Sequence, residues 1–262
     1  MMDCGKYKKL LIEKSNRVLK ISLNNPEARN ALDMQMREEL KDALLSVSAD
    51  PQIRALILTG TGKAFCAGGD LRTMQVPMPD LAARKRLKDL HIWLKTLIDL
   101  EIPVIAAVNG VAAGVGCSLA MACDLIIASE DAAFVHSFVK VGLIPDGGSL
   151  YFLPRIVGIN KAKELMFSGR TIGAREALAI GLVNQVTPPD QLAPTVERLA
   201  DELSHGAGHA IALTKRFLNV SMSTDLETLL ELEALGQDIC FDTEDFMEGR
   251  KAFLEKRKPV FR

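Results

Sequence analysis

Two glycine-rich segments interrupt the first half of this chain in the same setting. They are Lys63-Ala64-Phe65-Cys66-Ala67-Gly68-Gly69-Asp70 and Asn109-Gly110-Val111-Ala112-Ala113-Gly114-Val115-Gly116-Cys117-Ser118. Each follows a short apolar run, Ala55 to Thr59 and Val104 to Val108, and each precedes a helical pattern. Short apolar runs that alternate with helices read as buried, largely parallel strands, so the chain is expected to form an α/β core. A glycine turn that enters a helix also bares backbone N–H groups where the helix dipole favours negative charge. Two such turns converging on one point would make an oxyanion hole, which fits chemistry on the carbonyl of a thioester or ester.

The rest of the first half keeps the alternation. Tyr7 to Glu13 and Arg17 to Leu23 read as strands around a Ser15-Asn16 turn. Asp33 is placed to cap a helix with the apolar stripe Met36, Leu40, Ala43, Leu44 and Val47. Leu81 to Leu100 reads as a helix with Leu87, Leu90, Leu94, Leu97 and Ile98 on one face. Arg84, Lys85, Arg86 and Lys88 on its other face read as solvated. Leu119 to Cys123 is a short helix and Leu125 to Ala128 a strand. Beyond Lys161 strand signals nearly vanish, apart from Val183 to Val186, and five helical stretches remain. The expected organisation is an α/β core over residues 1–200 and a helical region over 201–262 that packs in an oligomer.

With 262 residues, 48% of them hydrophobic, the chain can bury one sizeable core. A net charge of −1 gives no field to draw in nucleic acid or an acidic membrane, and one Trp with two Tyr make a poor base-stacking platform. Five scattered cysteines without a C-x-x-C pair point to neither a zinc site nor a disulfide frame. They read as small buried hydrophobes in a reducing compartment. No signal peptide and no spanning segment are read, so a cytoplasmic protein is expected.

Asp146 lies in Gly142-Leu143-Ile144-Pro145-Asp146-Gly147-Gly148. It reads either as turn and cap chemistry or as a general base in a glycine-lined cleft, where burial would bring its pKa towards neutrality. Ser118 and His136 allow a serine hydrolase reading, against the plainer one of a helix-cap serine and a core histidine.

At this point the chain resembles the enoyl-CoA hydratase/isomerase (crotonase) family over nearly its whole length. The matching stretches are Asn24 to Leu32, Ala64 to Leu71, Pro103 to Ser118, Ala122-Cys123-Asp124, Gly142 to Gly148 and Glu248 to Arg257. The resemblance implies a spiral of ββα units, a homotrimer or homohexamer and an acyl-CoA substrate, with no metal and no cofactor beyond the substrate's own coenzyme A. By motif position, the oxyanion donors would be the N–H groups of Gly69 and Val115. Ala67, Asp70 and Leu71 would meet pantetheine and adenine, and Ala28 and Arg29 would line the CoA entrance. Phe253 and Lys256 would help cover CoA bound to a neighbouring subunit.

Typical hydratases of the family use two glutamates. These positions hold Ser118 and Phe138 here, and neither side chain can act as a carboxylate base. Asp146 is the remaining acid. The segment Phe134 to Gly148 with Tyr151 to Arg155 most resembles the ring 1,2-epoxyphenylacetyl-CoA isomerase branch. The resemblance thus implies an acyl-CoA isomerase using Asp146. One-acid hydration, a Ser118/His136 hydrolase and a non-catalytic CoA binder are the alternatives. Acyl-chain selectivity is expected from side chains between Thr73 and Leu90.

Overall fold

A computed structural model describes residues 5–73 and 78–261. The chain opens with β1 (Leu10–Ser15) and β2 (Val18–Leu23), paired antiparallel around Asn16 at φ 52°. Asparagine adopts this left-handed conformation more readily than most residues. Next comes α1 (Met34–Ala49). The Asp33 carboxylate accepts the Met36 N–H at 2.8 Å, the expected cap. The apolar stripe of α1 is buried as expected, with Arg37 buried beside it.

Three strand pairs follow, each leading to a helix. They are β3 (Ala55–Gly60) with β4 (Ala64–Cys66), then α2 (Ala82–Ile98); β5 (Val104–Val108) with β6 (Val111–Ala113), then α3 (Val115–Met121); and β7 (Leu125–Ser129) with β8 (Ala133–Val135), then α4 (Ser149–Val157). The remaining elements are α5 (Ile159–Ser168), β9 (Thr171–Gly173), α6 (Ala174–Ala179), β10 (Gln185–Thr187) and α7 (Leu192–Ser204). Three helices close the chain: α8 (Gly208–Ser221), α9 (Leu226–Phe241) and α10 (Glu244–Glu255).

The first strand of each pair joins a six-stranded sheet of order β1-β2-β3-β5-β7-β10, parallel from β2 onward. The second joins a four-stranded sheet of order β4-β6-β8-β9, in which β9 runs antiparallel. Stepping between two sheets in this way makes the crotonase-type spiral of ββα units. Leu19, Ile21, Leu56 and Leu58 meet Leu40, Leu44, Trp93 and Leu97 in the main core. On the sheet's other face Val196 and Ala200 of α7 cover Ile57, Ile105 and Ile127.

The sequence reading missed β4, β6, β8, β9 and α5, and it started α3 four residues late. Val111–Ala113 and Thr171–Gly173 are only three residues long, too short to show alternation. Val115-Gly116-Cys117 has weak helix propensity and is helical through its packing. The helical region is tied to the core by Lys215, whose Nζ reaches Asp124 at 2.8 Å and the Ile102 carbonyl at 3.0 Å. Among the described residues no helix is long and apolar enough to cross a membrane, and no cluster of three or more His, Cys, Asp or Glu residues could hold a metal ion.

Candidate active site

The first glycine segment is held by the stretch of chain that enters α1. Leu32 pairs in parallel with Gly69, and the Leu32 N–H donates to the Gly68 carbonyl at 2.7 Å. Such a bridge uses the backbone groups on either side of Gly69, so the N–H of Gly69 itself points away from Leu32. The second segment carries Val115 at the first position of α3, after Gly114 at φ 52°. Among the described residues neither the Gly69 nor the Val115 N–H donates to a protein oxygen. Gly68, at φ +97°, brings the two segments together. A Cβ there would lie 2.8 Å from the Ala113 carbonyl and 3.7 Å from the Val115 nitrogen. Phe138 is buried and packs beside Gly114.

The Asp146 turn sits on the first turns of α3. Ser118 is fully buried, and its hydroxyl donates to the Asp146 carbonyl at 2.8 Å while sharing a 2.7 Å hydrogen bond with Ser149. Gly147 follows at φ +58°, and a Cβ on it would lie 2.8 Å from Ser118 Cβ. The turn therefore needs glycine on two counts, conformation and space. The Asp146 side chain is half-buried. Its Oδ1 is buried with no hydrogen-bond partner among the described residues.

Burial pushes the Asp146 pKa up from its ordinary value, while the charges of Arg37, Arg86 and His91 pull it back down. A raised carboxyl pKa without a direct partner is what a proton-accepting group requires. Arg37 comes from the buried stripe of α1, and burial lowers its pKa to about 10. Arg86 corrects the sequence reading. It is half-buried, and the charge of Asp146 acts on it. It falls in the stretch expected to set acyl selectivity, of which residues 74–77 lie outside the described residues.

Ser118 and His136 do not form a hydrolase pair. The Ser118 hydroxyl is occupied as described, neither ring nitrogen of His136 has a partner among the described residues, and burial pushes that imidazole down to about 4. Burial also pushes the Cys66 and Cys117 thiols up to about 12, so neither is a thiolate nucleophile near neutral pH. Cys4 lies outside the described residues.

The residues expected at CoA divide into two groups. Ala28 and Arg29 form a turn pinned by fully buried Asn30, whose Nδ2 donates to the Ala64 carbonyl at 2.7 Å. The Ala67 N–H donates to the Arg29 carbonyl at 2.9 Å, so Ala28, Arg29 and Ala67 lie together beside Gly69. Arg29 and Leu71 are exposed, as an entrance requires. The Asp70 carboxylate is held by Arg72 in a two-pronged ion pair at 2.9 and 3.0 Å, which lowers its pKa. Phe253 and Lys256 lie at the end of α10, with Phe253 82% exposed, so no described residue of the same chain covers the ring. A cleft of about 980 Å³ near Arg54, Glu101, His209 and Asp245 contains none of the predicted site residues.

The sequence matches the enoyl-CoA hydratase/isomerase family over residues 13–262. It is 40% identical to a crotonyl-CoA hydratase from Syntrophomonas wolfei, covering 97% of this chain and 98% of that protein. It is 39% identical to a 1,2-epoxyphenylacetyl-CoA isomerase from Escherichia coli, covering 93% and 94%. A crystal structure of an enoyl-CoA hydratase from Bacillus anthracis superposes with a TM-score of 0.92 at 35% identity, covering 97% of this chain and 99% of that one. By sequence over nearly its whole length and by a shared fold, the chain belongs to the enoyl-CoA hydratase/isomerase family.

Proposed function

We propose that the protein shifts a C=C bond in an acyl-CoA thioester, from the β,γ to the α,β position. The N–H groups of Gly69 and Val115 bind the thioester oxygen. Charge drawn onto that oxygen acidifies the carbon next to the carbonyl. Asp146 removes a proton from this carbon, and the electron pair left behind spreads into a dienolate. Asp146 then returns the proton two carbons further along, and the thioester carbonyl re-forms. Each oxyanion donor contributes about 3 kcal/mol to lowering the barrier. These steps need no cofactor beyond the substrate's own CoA.

The observation that carries this reading is the Asp146 carboxylate, with its buried, unpartnered Oδ1, on a turn clamped to α3 by Ser118. Buried Phe138, beside Gly114, supports a dry site, which favours proton return over water addition. Exposed apolar side chains on α8–α10, among them Leu218, Leu226, Leu235 and Phe253, support assembly as a homotrimer or homohexamer.

Hydration of a 2-enoyl-CoA is the second reading, and the hydratase names of the S. wolfei and B. anthracis relatives favour it. Two incubations separate the readings. A 3-enoyl-CoA deuterated at the second carbon should give, in ordinary water, the 2-enoyl isomer with deuterium carried to the fourth carbon. Crotonyl-CoA should gain no water mass. Rapid formation of the 3-hydroxyacyl product with no isomerisation would overturn the proposal.

A further inference from the structure

We infer that Arg37 is a positioning residue for the oxyanion hole: its buried guanidinium, bonded to the Leu32 carbonyl, fixes the stretch of chain that aims the Gly69 N–H at the thioester oxygen. The inference rests on the reading above that this N–H binds that oxygen, and it adds a residue to the same site.

Gly69 has no side chain to hold it, and Gly68 before it is equally free, so the direction of the donor must be set from outside. The grip comes from residues 29–32. The Arg29 carbonyl accepts the Ala67 N–H at 2.9 Å, the Leu32 N–H donates to the Gly68 carbonyl at 2.7 Å, and Leu32 bridges Gly69. Gly68 is also the point at which the first glycine segment meets the second. A shift of Leu32 therefore changes both where the Gly69 N–H points and how it sits against Val115.

The gripping stretch is itself strained. Arg29 and Asn30 are non-glycine residues at φ 51° and 58°. Such backbone persists only where its surroundings over-determine it. Asn30 Nδ2 fastens the near end to the Thr61 and Ala64 carbonyls at 2.9 and 2.7 Å. Arg37 fastens the far end. Its Nε donates to the Leu32 carbonyl at 3.2 Å, the one side-chain hydrogen bond it makes to protein among the described residues. Arg37 sits on α1, so a rigid helix carries this anchor.

Packing does not explain the residue. Arg37 is 7% exposed, on a buried stripe with Met36 and Leu40 as neighbours. An apolar side chain would fill that position without the cost of burying a guanidinium. What the guanidinium adds there is the hold on Leu32.

Infrared difference spectroscopy of bound hexanoyl-CoA, labelled with carbon-13 at the thioester carbonyl, tests this. A hydrogen bond weakens C=O, so the intact protein should lower the carbonyl band below its position in water. Arg37→Met removes the hold and should lose most of that lowering. Arg37→Gln should keep most of it, because its Nε2 lies as many bonds from Cα as the arginine Nε. Arg37→Lys keeps the charge without a donor at that place, and should resemble Arg37→Met. Leu44→Ala, about two turns along the same buried stripe, controls for general loosening and should leave the band unmoved. Turnover of 3-hexenoyl-CoA should follow the band. In Arg37→Met kcat should fall about tenfold, short of the roughly 10²–10³ of an oxyanion donor removed outright, with KM little changed. Circular dichroism checks the folding of each variant. If Arg37→Met does not fold, the contrast between Arg37→Gln and Arg37→Lys decides the matter. An unmoved band in folded Arg37→Met, an equal loss in Leu44→Ala, or lowering kept by Arg37→Lys and lost in Arg37→Gln would overturn the inference. If the intact protein leaves the band at its position in water, the oxyanion reading falls and this inference with it. Lowering that follows the variants as expected, without any turnover, would sink the isomerisation and leave this inference standing.

Discussion

The Ser118 hydroxyl donates to the backbone carbonyl of Asp146 at 2.8 Å. The position where the family resemblance puts a hydratase glutamate thus serves here to hold the turn that presents the acid. Ser118→Ala leaves that carbonyl and Ser149 short of a partner. The expected cost is about 1–3 kcal/mol in urea unfolding, with a fall in kcat larger than any change in KM. Ser118→Glu is expected to destabilise more, because Gly147 packs against the Ser118 side chain, and it should not create hydratase activity.

Asp146→Asn removes the proposed proton carrier. Isomerisation should fall about 10²- to 10⁴-fold, the range for a lost general base, while binding of a saturated acyl-CoA persists. Steady-state kinetics and calorimetry on one preparation check both halves.

Burial raises the folded-state pKa of Asp146 above its ordinary value, against the pull of Arg37, Arg86 and His91. A base must be deprotonated, so the acid limb of kcat should lie above 3.8. Arg37→Met should move it higher still. The same shift affects stability. The charged form weakens the fold above the folded pKa, and the penalty disappears below the unfolded one. Asp146→Asn is therefore expected to raise Tm at pH 8 and to lose that gain towards pH 3, measured by scanning calorimetry.

Gly68→Ala tests the contact between the two glycine segments. At φ +97° an alanine is strained by about 1–3 kcal/mol, and its Cβ would press on the Ala113 carbonyl. The expected result is a lower Tm and a kcat loss exceeding that of an exposed Gly173→Ala control, since a Cβ at Gly173 meets nothing within 4 Å.

Lys215→Met should loosen the C-terminal helices. It strips the cation from Asp124, whose pKa burial already raises, and removes the tie to the Ile102 carbonyl. Asp124 as a whole residue is exposed, so the cost should stay near the roughly 1 kcal/mol upper end for solvent-exposed ion pairs. Faster proteolysis between α7 and α8 would report it.

The sequence by itself determined the elements whose signals are local. The cap at Asp33, the α1 stripe and the two glycine turns follow from periodicity and turn chemistry, and the structure bears them out. Asp146 was visible as an acid in a glycine-lined turn. Its partners were not. Arg37 interrupts an apolar stripe, and Arg86 sits in a run of basic residues that reads as a solvated face. Helical periodicity tells which residues share a face, not what that face meets. Only the packing of α1, α2 and the Asp146 turn decided that the charges of Arg37 and Arg86 act on one carboxylate, because these residues lie 109 and 60 positions from Asp146 in the chain and only the fold brings their segments together.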